Sequence, residues 1–132
     1  MVLPLPLEKM KAAHELLAEY SYEMRPVVHG YANRTLHINL ETKEIGEKPV
    51  TQQMKDLFTG GRGFGLKLLW DAVTPETKWD DPENALIIAN GPICGTTAYA
   101  GSGKATVVTL SPLTLNVVDS NVGGYFAPFL KF

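Results

Sequence analysis

Three glycine-rich loops contain the residues that could carry chemistry in this 132-residue chain. The first loop, residues 59–65, includes Gly61, Arg62 and Gly63. Backbone amides at a helix start can bind an anion, and a guanidinium can bind a phosphate or a carboxylate through two donors. The loop is not a dinucleotide fingerprint, because Leu66 stands at the sixth position, where that motif needs glycine. A phosphate contact and a plain corner between two helices both fit the loop.

The second loop, Gly101-Ser102-Gly103-Lys104, is similar to part of a nucleotide-binding P-loop. A P-loop needs a glycine where this chain has Ala98, and a metal-binding hydroxyl where it has Ala105. The pattern also predicts a strand, not a helix, after the lysine. Hydrolysis of a nucleoside triphosphate is therefore not expected.

The third loop, Asp119 to Gly124, is polar and is predicted to lead into a helix. The positive end of that helix would suit an anionic group. A helix cap is the alternative, with Ser120 or Asn121 accepting from the first free amides. Taken alone, the loop is better explained as a cap.

The other reactive side chains point to no site. The three histidines lack the spacing of metal ligands, and Asp80-Asp81 lies in a charged loop that we expect to be solvated. Cys94 is the single cysteine, so this chain cannot form an internal disulfide, a Cys-based zinc site or the four-thiolate set of an iron–sulfur cluster. We expect Cys94 to be a small buried thiol.

Composition is that of a globular protein, with 45% hydrophobic and 20% charged residues. Twelve Lys and Arg against fourteen Asp and Glu give a net charge of -2, which leaves no broad cationic face for a nucleic acid or an anionic bilayer. No stretch approaches the roughly eighteen consecutive apolar residues of a membrane span. Met1 to Leu7 lacks the basic start and long apolar run of a secretion signal. We expect a cytoplasmic protein with no nucleic-acid or membrane partner.

Hydrophobic spacing predicts an α+β domain, residues 30–132, preceded by an amphipathic helical extension, residues 1–29. The extension's helix spans Leu7 to Met24 and carries no predicted chemistry. Alternation from Thr35 to Leu40, followed by Glu44–Lys48, predicts a half-buried β-hairpin.

The rest of the domain is predicted to alternate short helices and strands. Thr51 caps a helix that ends at Phe58, and a second helix begins after the glycine run. That second helix spans Leu66 to Val73, with Leu68, Leu69 and Val73 facing inward. The other predicted elements are strands at Ala85–Ala89 (covered on both faces), Lys104–Leu110 and Leu115–Val118, and a helix at Tyr125–Phe132. Because that last helix is strongly apolar, we expect the chain to be a fragment or a split subunit that needs a partner.

Six motifs follow one another along the domain: Gly60-Gly61-Arg62-Gly63, Pro82-Glu83-Asn84, Asn90-Gly91-Pro92, Gly101-Ser102-Gly103-Lys104, Ser111-Pro112-Leu113-Thr114 and Asp119-Ser120-Asn121-Val122-Gly123-Gly124-Tyr125-Phe126. In this order they closely resemble the amino-terminal domain of aldehyde ferredoxin oxidoreductases. The resemblance covers about residues 30–132, roughly the first half of that domain, and does not include the preceding helix.

The resemblance implies a tungsten enzyme that oxidises aldehydes to carboxylic acids with water and passes electrons through a [4Fe-4S] cluster to ferredoxin. Dithiolene sulfurs of two pterins hold the tungsten, so the domain needs no Cys or His ligands. The cluster cysteines and the acid–base residues lie in later domains of that family. The implied partners are those remaining domains or a subunit carrying them, ferredoxin or another redox partner, and an aldehyde. This chain alone would then carry no catalytic residue.

The resemblance also implies roles for single residues. Lys104 stands where the family usually has an arginine that touches a pterin phosphate. Asn121 stands where a backbone carbonyl binds the Mg²⁺ ion that bridges the two pterin phosphates. Gly123 lies at a pterin contact, and Gly124 follows it. With the first loop, the candidate cofactor-binding residues are Lys104, Asn121, Gly123, Gly124, Arg62, Gly61 and Gly63.

Two functions of different classes stay open from the sequence. One is the tungstopterin-binding part of an aldehyde oxidoreductase, with tungsten and molybdenum not distinguished. The other is a binding or assembly module that keeps the pterin-side surface without turnover. A downstream Cys-x-x-Cys-x-x-x-Cys group would favour the first.

Overall fold

The computed structural model describes residues 7–132, and the predicted α+β class is confirmed. Five strands form two antiparallel sheets in this part of the chain, one of order β1-β2 and one of order β3-β4-β5. In chain order the elements are α1 (Leu7–Ala12), β1 (Arg34–Ile38), β2 (Ile45–Pro49), α2 (Gln52–Phe58), α3 (Arg62–Ala72), β3 (Ile87–Asn90), β4 (Lys104–Leu110), β5 (Val117–Gly123) and α4 (Phe126–Lys131). Residues 1–6 lie outside the described residues. They include the start of the predicted extension and most of Met1 to Leu7, the segment in which we expect no secretion signal.

The long amino-terminal helix predicted for Leu7 to Met24 is wrong in extent. Helix α1 ends at Ala12 and has no buried residue, and the chain from residue 14 to residue 27 has no regular structure. Most of a helix's stability in a protein comes from packing its apolar face against something else. Ala13, Leu17 and Met24 on the apolar face are all exposed in the described part of the chain, so helical spacing alone does not form the predicted helix.

The predicted hairpin is confirmed as β1 and β2, paired from Arg34↔Pro49 to Ile38↔Ile45. Asn39 closes the turn, because its side-chain oxygen accepts from the amides of Glu41 and Thr42 at 2.9 and 3.0 Å. The expected half-burial of its apolar face is wrong for these residues. That face is exposed: Leu36, Ile38 and Leu40.

Helices α2 and α3 meet at a tight corner. The predicted cap of α2 is confirmed, since Thr51 Oγ1 accepts from the amide of Met54 at 3.1 Å. Helix α3 begins at Arg62, inside the glycine run and earlier than the predicted Leu66. Glycine weakens a helix by about 1 kcal/mol, but Gly63 and Gly65 permit contacts that offset this. A Cβ on Gly63 would lie 2.4 Å from the Phe58 carbonyl oxygen, and a Cβ on Gly65 would lie 2.5 Å from a Val108 methyl.

The three-stranded sheet carries the core, with β4 in the middle. Val108 of β4 is fully buried and faces α3, in which Leu69 is buried as well. Ala105 clusters with Cys94 and Ala127 on the side of α4. Since side chains alternate along a strand, α3 and α4 cover opposite faces.

Two strand predictions need correction. Strand β3 is shorter than Ala85–Ala89 implies, and Ile88 is 40% exposed, so the strand is not covered on both faces. Strand β5 runs through Asp119 to Gly123, where the sequence predicts a loop. Its register with β4 extends from Lys104↔Gly123 to Leu110↔Val117, so backbone pairing holds a polar segment that lacks the usual strand composition.

Candidate functional site

The β4–β5 ladder places three of the seven candidate residues, Lys104, Asn121 and Gly123, on one face. In its register Lys104 lies opposite Gly123, and Thr106 lies opposite Asn121. Asp119 is further along the same face of β5, because residues two apart point to the same side. We call Lys104, Thr106, Asp119, Asn121 and Gly123 the polar face. It is the side of the sheet that α3 covers, so the first and third loops of the sequence meet here.

The hydrogen-bond phase of this ladder decides where the backbone groups of β5 point. One pair beyond Leu110↔Val117, the amide of Ser111 donates to the carbonyl of Asn116 at 2.9 Å. Hydrogen-bonded and non-hydrogen-bonded pairs alternate along an antiparallel ladder. Counting back, the pair of Thr106 with Asn121 is non-hydrogen-bonded. The same phase follows from β3, where the Asn90 carbonyl accepts from Gly61 at 2.9 Å and so faces away from β4.

The outer edge of β5 therefore presents free backbone groups. β5 is the last strand of its sheet. In a non-hydrogen-bonded pair, the carbonyl and amide of an edge residue point away from the neighbouring strand. Asp119, Asn121 and Gly123 all occupy such pairs, so the Asn121 carbonyl points outward from the edge of the sheet.

One end of the polar face combines a cation with bare backbone. A Cβ on Gly123 would lie 3.0 Å from Lys104 Nζ and 3.5 Å from its Cε, so the lysine side chain extends over the glycine. Within residues 7–132, Lys104 forms no salt bridge. Gly124 follows with φ 103°, a backbone conformation that favours glycine, and open space where a Cβ would stand. This arrangement fits an anionic group.

The middle of the polar face is a side-chain hydrogen bond. Thr106, 8% exposed, donates from Oγ1 to Asn121 Oδ1 at 3.2 Å. The start of α3 is next to this bond, since a Cβ on Gly61 would lie 3.9 Å from Thr106 Oγ1. The sequence analysis missed Thr106, whose only signal is a hydroxyl between the apolar residues Ala105 and Val107.

At the other end, Arg62 is held by Asp119. Its Nε and Nη2 donate to the same carboxylate oxygen at 3.0 and 2.8 Å. The guanidinium expected to bind an outside anion is thus bound to a carboxylate of the chain itself. Its Nη1 makes no hydrogen bond within the described residues, so Arg62 as an anion ligand stays a prediction that would use this group.

The remaining glycines of the first loop are explained by the corner. A Cβ on Gly60 would lie 2.9 Å from Gly91 Cα, and Gly63 contacts the end of α2 as described above. The amide of Gly61 is bonded to Asn90. Close packing accounts for Gly60 and Gly63, whereas Gly61 borders the polar face. A cofactor contact of Gly63 stays a prediction.

The helix-cap interpretation of the third loop is wrong. Ser120 and Asn121 lie inside β5, and Tyr125 stands at the start of α4 without a side-chain capping bond. These residues belong to the strand and not to a helix end: Asn121 lies on the polar face, and Ser120 points to the opposite side of the sheet.

A family comparison settles what kind of domain this is. Residues 35–132 match the family described as aldehyde ferredoxin oxidoreductase, N-terminal domain. The chain belongs to this family. It is 40% identical over 103 residues to the tungsten-containing aldehyde ferredoxin oxidoreductase of Pyrococcus horikoshii, a match covering 78% of this chain and 17% of that protein. The corresponding protein of Pyrococcus furiosus is 39% identical over 105 residues, 80% of this chain and 17% of the relative. This aldehyde ferredoxin oxidoreductase domain thus spans about a sixth of the length of these relatives.

Other relatives of the domain carry different names. The WOR-like subunit of an aliphatic sulfonate oxidoreductase from Pyrococcus furiosus is 30% identical over 96 residues, which cover 70% of this chain and 15% of that one. Among solved structures, the active-site complex BamBC of benzoyl coenzyme A reductase, in complex with 1,5-dienoyl-CoA, matches with a TM-score of 0.73 and 36% identity. That match covers 76% of this chain and 15% of the other.

On the opposite face of the sheet, the aldehyde ferredoxin oxidoreductase domain has a buried lysine that the sequence analysis missed. Lys131, 6% exposed, donates from Nζ to the carbonyls of Pro92 and Cys94 at 2.6 and 2.7 Å. Burial lowers the pKa of Lys131, and burial also raises the pKa of the Cys94 thiol. The two hydrogen bonds of Lys131 fix α4 to the loop after β3. Its signal in the sequence is a lysine inside the apolar stretch Tyr125–Phe132.

Within the part of the domain that the structure describes, no three His, Cys, Asp or Glu side chains converge as metal ligands. The described helices include none with the length and apolarity needed to cross a membrane.

Proposed function

We propose that this chain is the part of a tungstopterin-dependent aldehyde:ferredoxin oxidoreductase that binds the phosphate ends of the cofactor. The observation that carries the proposal is the ammonium of Lys104 lying over Gly123 at the edge of the sheet. The domain match and the names of the aldehyde-oxidising relatives support the cofactor class.

The polar face fits this group chemically. Lys104 would provide a point charge for a phosphate, in place of the two-pronged contact of an arginine. Gly123 and Gly124, which have no side chains, would let the backbone approach a pterin closely. The outward carbonyl of Asn121 is a hard oxygen ligand of the kind that Mg²⁺ prefers, and Mg²⁺ is commonly shared between protein and phosphate oxygens.

Of the remaining candidate residues, Gly61 and Arg62 border this surface, and Gly63 lies at the corner between α2 and α3. Gly61 brings the start of α3 to the polar face, and Arg62 would reach a phosphate through Nη1 while Asp119 holds its other donors. Gly63 would act through the corner that sets the position of α3.

When bound, the tungsten cofactor would supply the two-electron oxidation of the aldehyde. This chain's residues would bind and orient it, and we assign them no proton transfer and no catalytic role. The [4Fe-4S] cluster, the acid–base residues and the contact with ferredoxin or another redox partner would belong to the remaining domains or to a subunit carrying them. We place the proposed enzyme in the cytoplasm on the sequence grounds given above.

The alternative is that the same surface serves a binding or assembly module without turnover. It is favoured by one observation, that two relatives are named as a subunit or as a complex and not as a single aldehyde enzyme. The two functions differ in turnover and not in cofactor content.

The test uses the protein purified from its native cells with whatever chains accompany it. We expect tungsten, pterin phosphate and Mg²⁺ in fixed ratio to this chain, together with aldehyde-dependent reduction of a viologen dye. Lys104→Ala should lose cofactor and Lys104→Arg should keep it, whereas Lys78→Ala, in an exposed loop, is the matched control. Protein without tungsten or pterin would refute the proposal, and loaded protein without turnover on aldehydes would favour the assembly module.

A further inference from the structure

We propose that Thr106 is a positioning residue of the cofactor surface. Its buried hydroxyl holds Asn121 so that the carbonyl of that residue stays directed at the Mg²⁺ position. This inference rests on the proposed function and adds a residue that none of the sequence motifs contains.

The hydroxyl of Thr106 lies where a sheet core would normally be apolar. Its neighbours on β4 include Ala105 and the fully buried Val108. A buried hydroxyl is costly unless it has a hydrogen-bond partner, and here the partner is Asn121 Oδ1 at 3.2 Å. A valine would have the same shape without that requirement, so packing alone does not explain threonine.

The bond matters because of where it falls in the ladder. Thr106 and Asn121 form a non-hydrogen-bonded pair, so Asn121 makes no backbone hydrogen bond to β4. Side chains across such a pair are close together. The bond from the Thr106 hydroxyl to the Asn121 side chain therefore connects residue 121 to β4 at a position without backbone hydrogen bonds between the two strands. The backbone carbonyl of Asn121 is not used by this bond.

The start of α3 lies beside the donor end of this bond, whereas the acceptor residue Asn121 is exposed. A Cβ on Gly61 would lie 3.9 Å from Thr106 Oγ1, so the backbone of the first loop covers the hydroxyl. Because the donor Thr106 is buried, its hydroxyl has little access to water as an alternative partner. The polar face would then have one rigid point between Lys104 and Asp119.

The chain offers a matched control on the same strand. Thr109 Oγ1 donates to Asn84 Oδ1, also at 3.2 Å and also part-buried. Thr109 faces the other side of the sheet, because it is three residues from Thr106. Thr109→Val therefore removes the same kind of bond without touching the polar face.

The experiment measures how fast Mg²⁺ leaves the protein purified from its native cells after transfer into excess EDTA. We expect Thr106→Val to release Mg²⁺ about tenfold faster than the unmodified protein, the effect of losing one buried hydrogen bond. Thr106→Ser, which keeps the hydroxyl, should restore slow release, and Thr109→Val should not change it. Asn121→Ala keeps the carbonyl but loses the bond, so it should match Thr106→Val, and the double variant should release no faster.

Four outcomes decide the matter. Unchanged release from Thr106→Val, equal acceleration in Thr109→Val, or failure of Thr106→Ser to restore slow release would each overturn the positioning role while leaving the proposed function intact. Unmodified protein that holds neither Mg²⁺ nor pterin phosphate would refute the proposed function and this inference together. If Thr106→Val does not accumulate, Asn121→Ala decides, because it removes the same bond from the exposed side.

Discussion

Replacing Gly123 with valine should empty the proposed cofactor surface and leave the domain folded. Gly123 has no left-handed backbone conformation, and valine is favoured in strands, so the substitution adds no backbone strain. The new side chain meets Lys104, whose Nζ would lie 3.0 Å from the Cβ. Because an exposed lysine moves easily, the free energy of unfolding should change by no more than about 0.5 kcal/mol.

Binding should suffer far more than folding. Displacing the ammonium removes a hydrogen bond to a charged group, about 1.5–3 kcal/mol, which corresponds to roughly 10- to 150-fold weaker cofactor binding. The assay is tungsten and phosphorus per chain by mass spectrometry, beside thermal unfolding followed by circular dichroism. Gly46→Val is the matched control, since a Cβ at this strand glycine meets nothing within 4 Å. Full tungsten content in Gly123→Val would refute the reasoning, and so would loss of its folded structure.

Two further substitutions test the packing that supports the site. Gly63→Ala places a Cβ 2.4 Å from the Phe58 carbonyl oxygen, so overpacking of about 1–3 kcal/mol should outweigh the gain in helix propensity of about 1 kcal/mol and lower the melting temperature, whereas Gly46→Ala should not. Lys131→Met should lower the urea midpoint at neutral pH, because two carbonyls lose their donor at a cost of about 1–3 kcal/mol. Burial lowers the pKa of Lys131, so the unfolded chain keeps that proton to higher pH. In a Cys94→Ala background, stability should therefore rise with pH between the folded pKa and the ordinary lysine pKa, and the methionine variant should lack this rise; an equal rise in both would contradict the assignment.

Elements with a local signal could be predicted from the sequence. The alternation in β1, the β-branched run in β4 and the Thr51 cap each depend on neighbouring residues, and each prediction is confirmed. The start of α3 could not be predicted, because Gly65 packs against Val108 far along the chain and Gly63 packs against the end of α2, Phe58. Their conformation is set by packing that the local pattern does not contain.

The amino-terminal segment shows the opposite error. Met10, Leu17 and Met24 have helical spacing, yet only residues 7–12 form a helix, and all three side chains are exposed. Periodicity reports which side chains would share a face if a helix formed. It carries no information on whether another surface is present to stabilise that face.

Strand β5 connects the failure of prediction with the position of the candidate site. Asp119, Asn121 and the glycines after it have the composition of a loop, and the sequence analysis took them for one. An edge strand can tolerate that composition, because only half of its backbone groups need the neighbouring strand and polar side chains can remain exposed. The same arrangement leaves carbonyls directed outward beside Lys104. Pairing across the sheet also places Asn121 opposite Thr106, whose hydroxyl lies beside Gly61. The motifs of the sequence therefore name the candidate residues, whereas the hydrogen-bond phase of the ladder shows which of their backbone groups point away from the neighbouring strand.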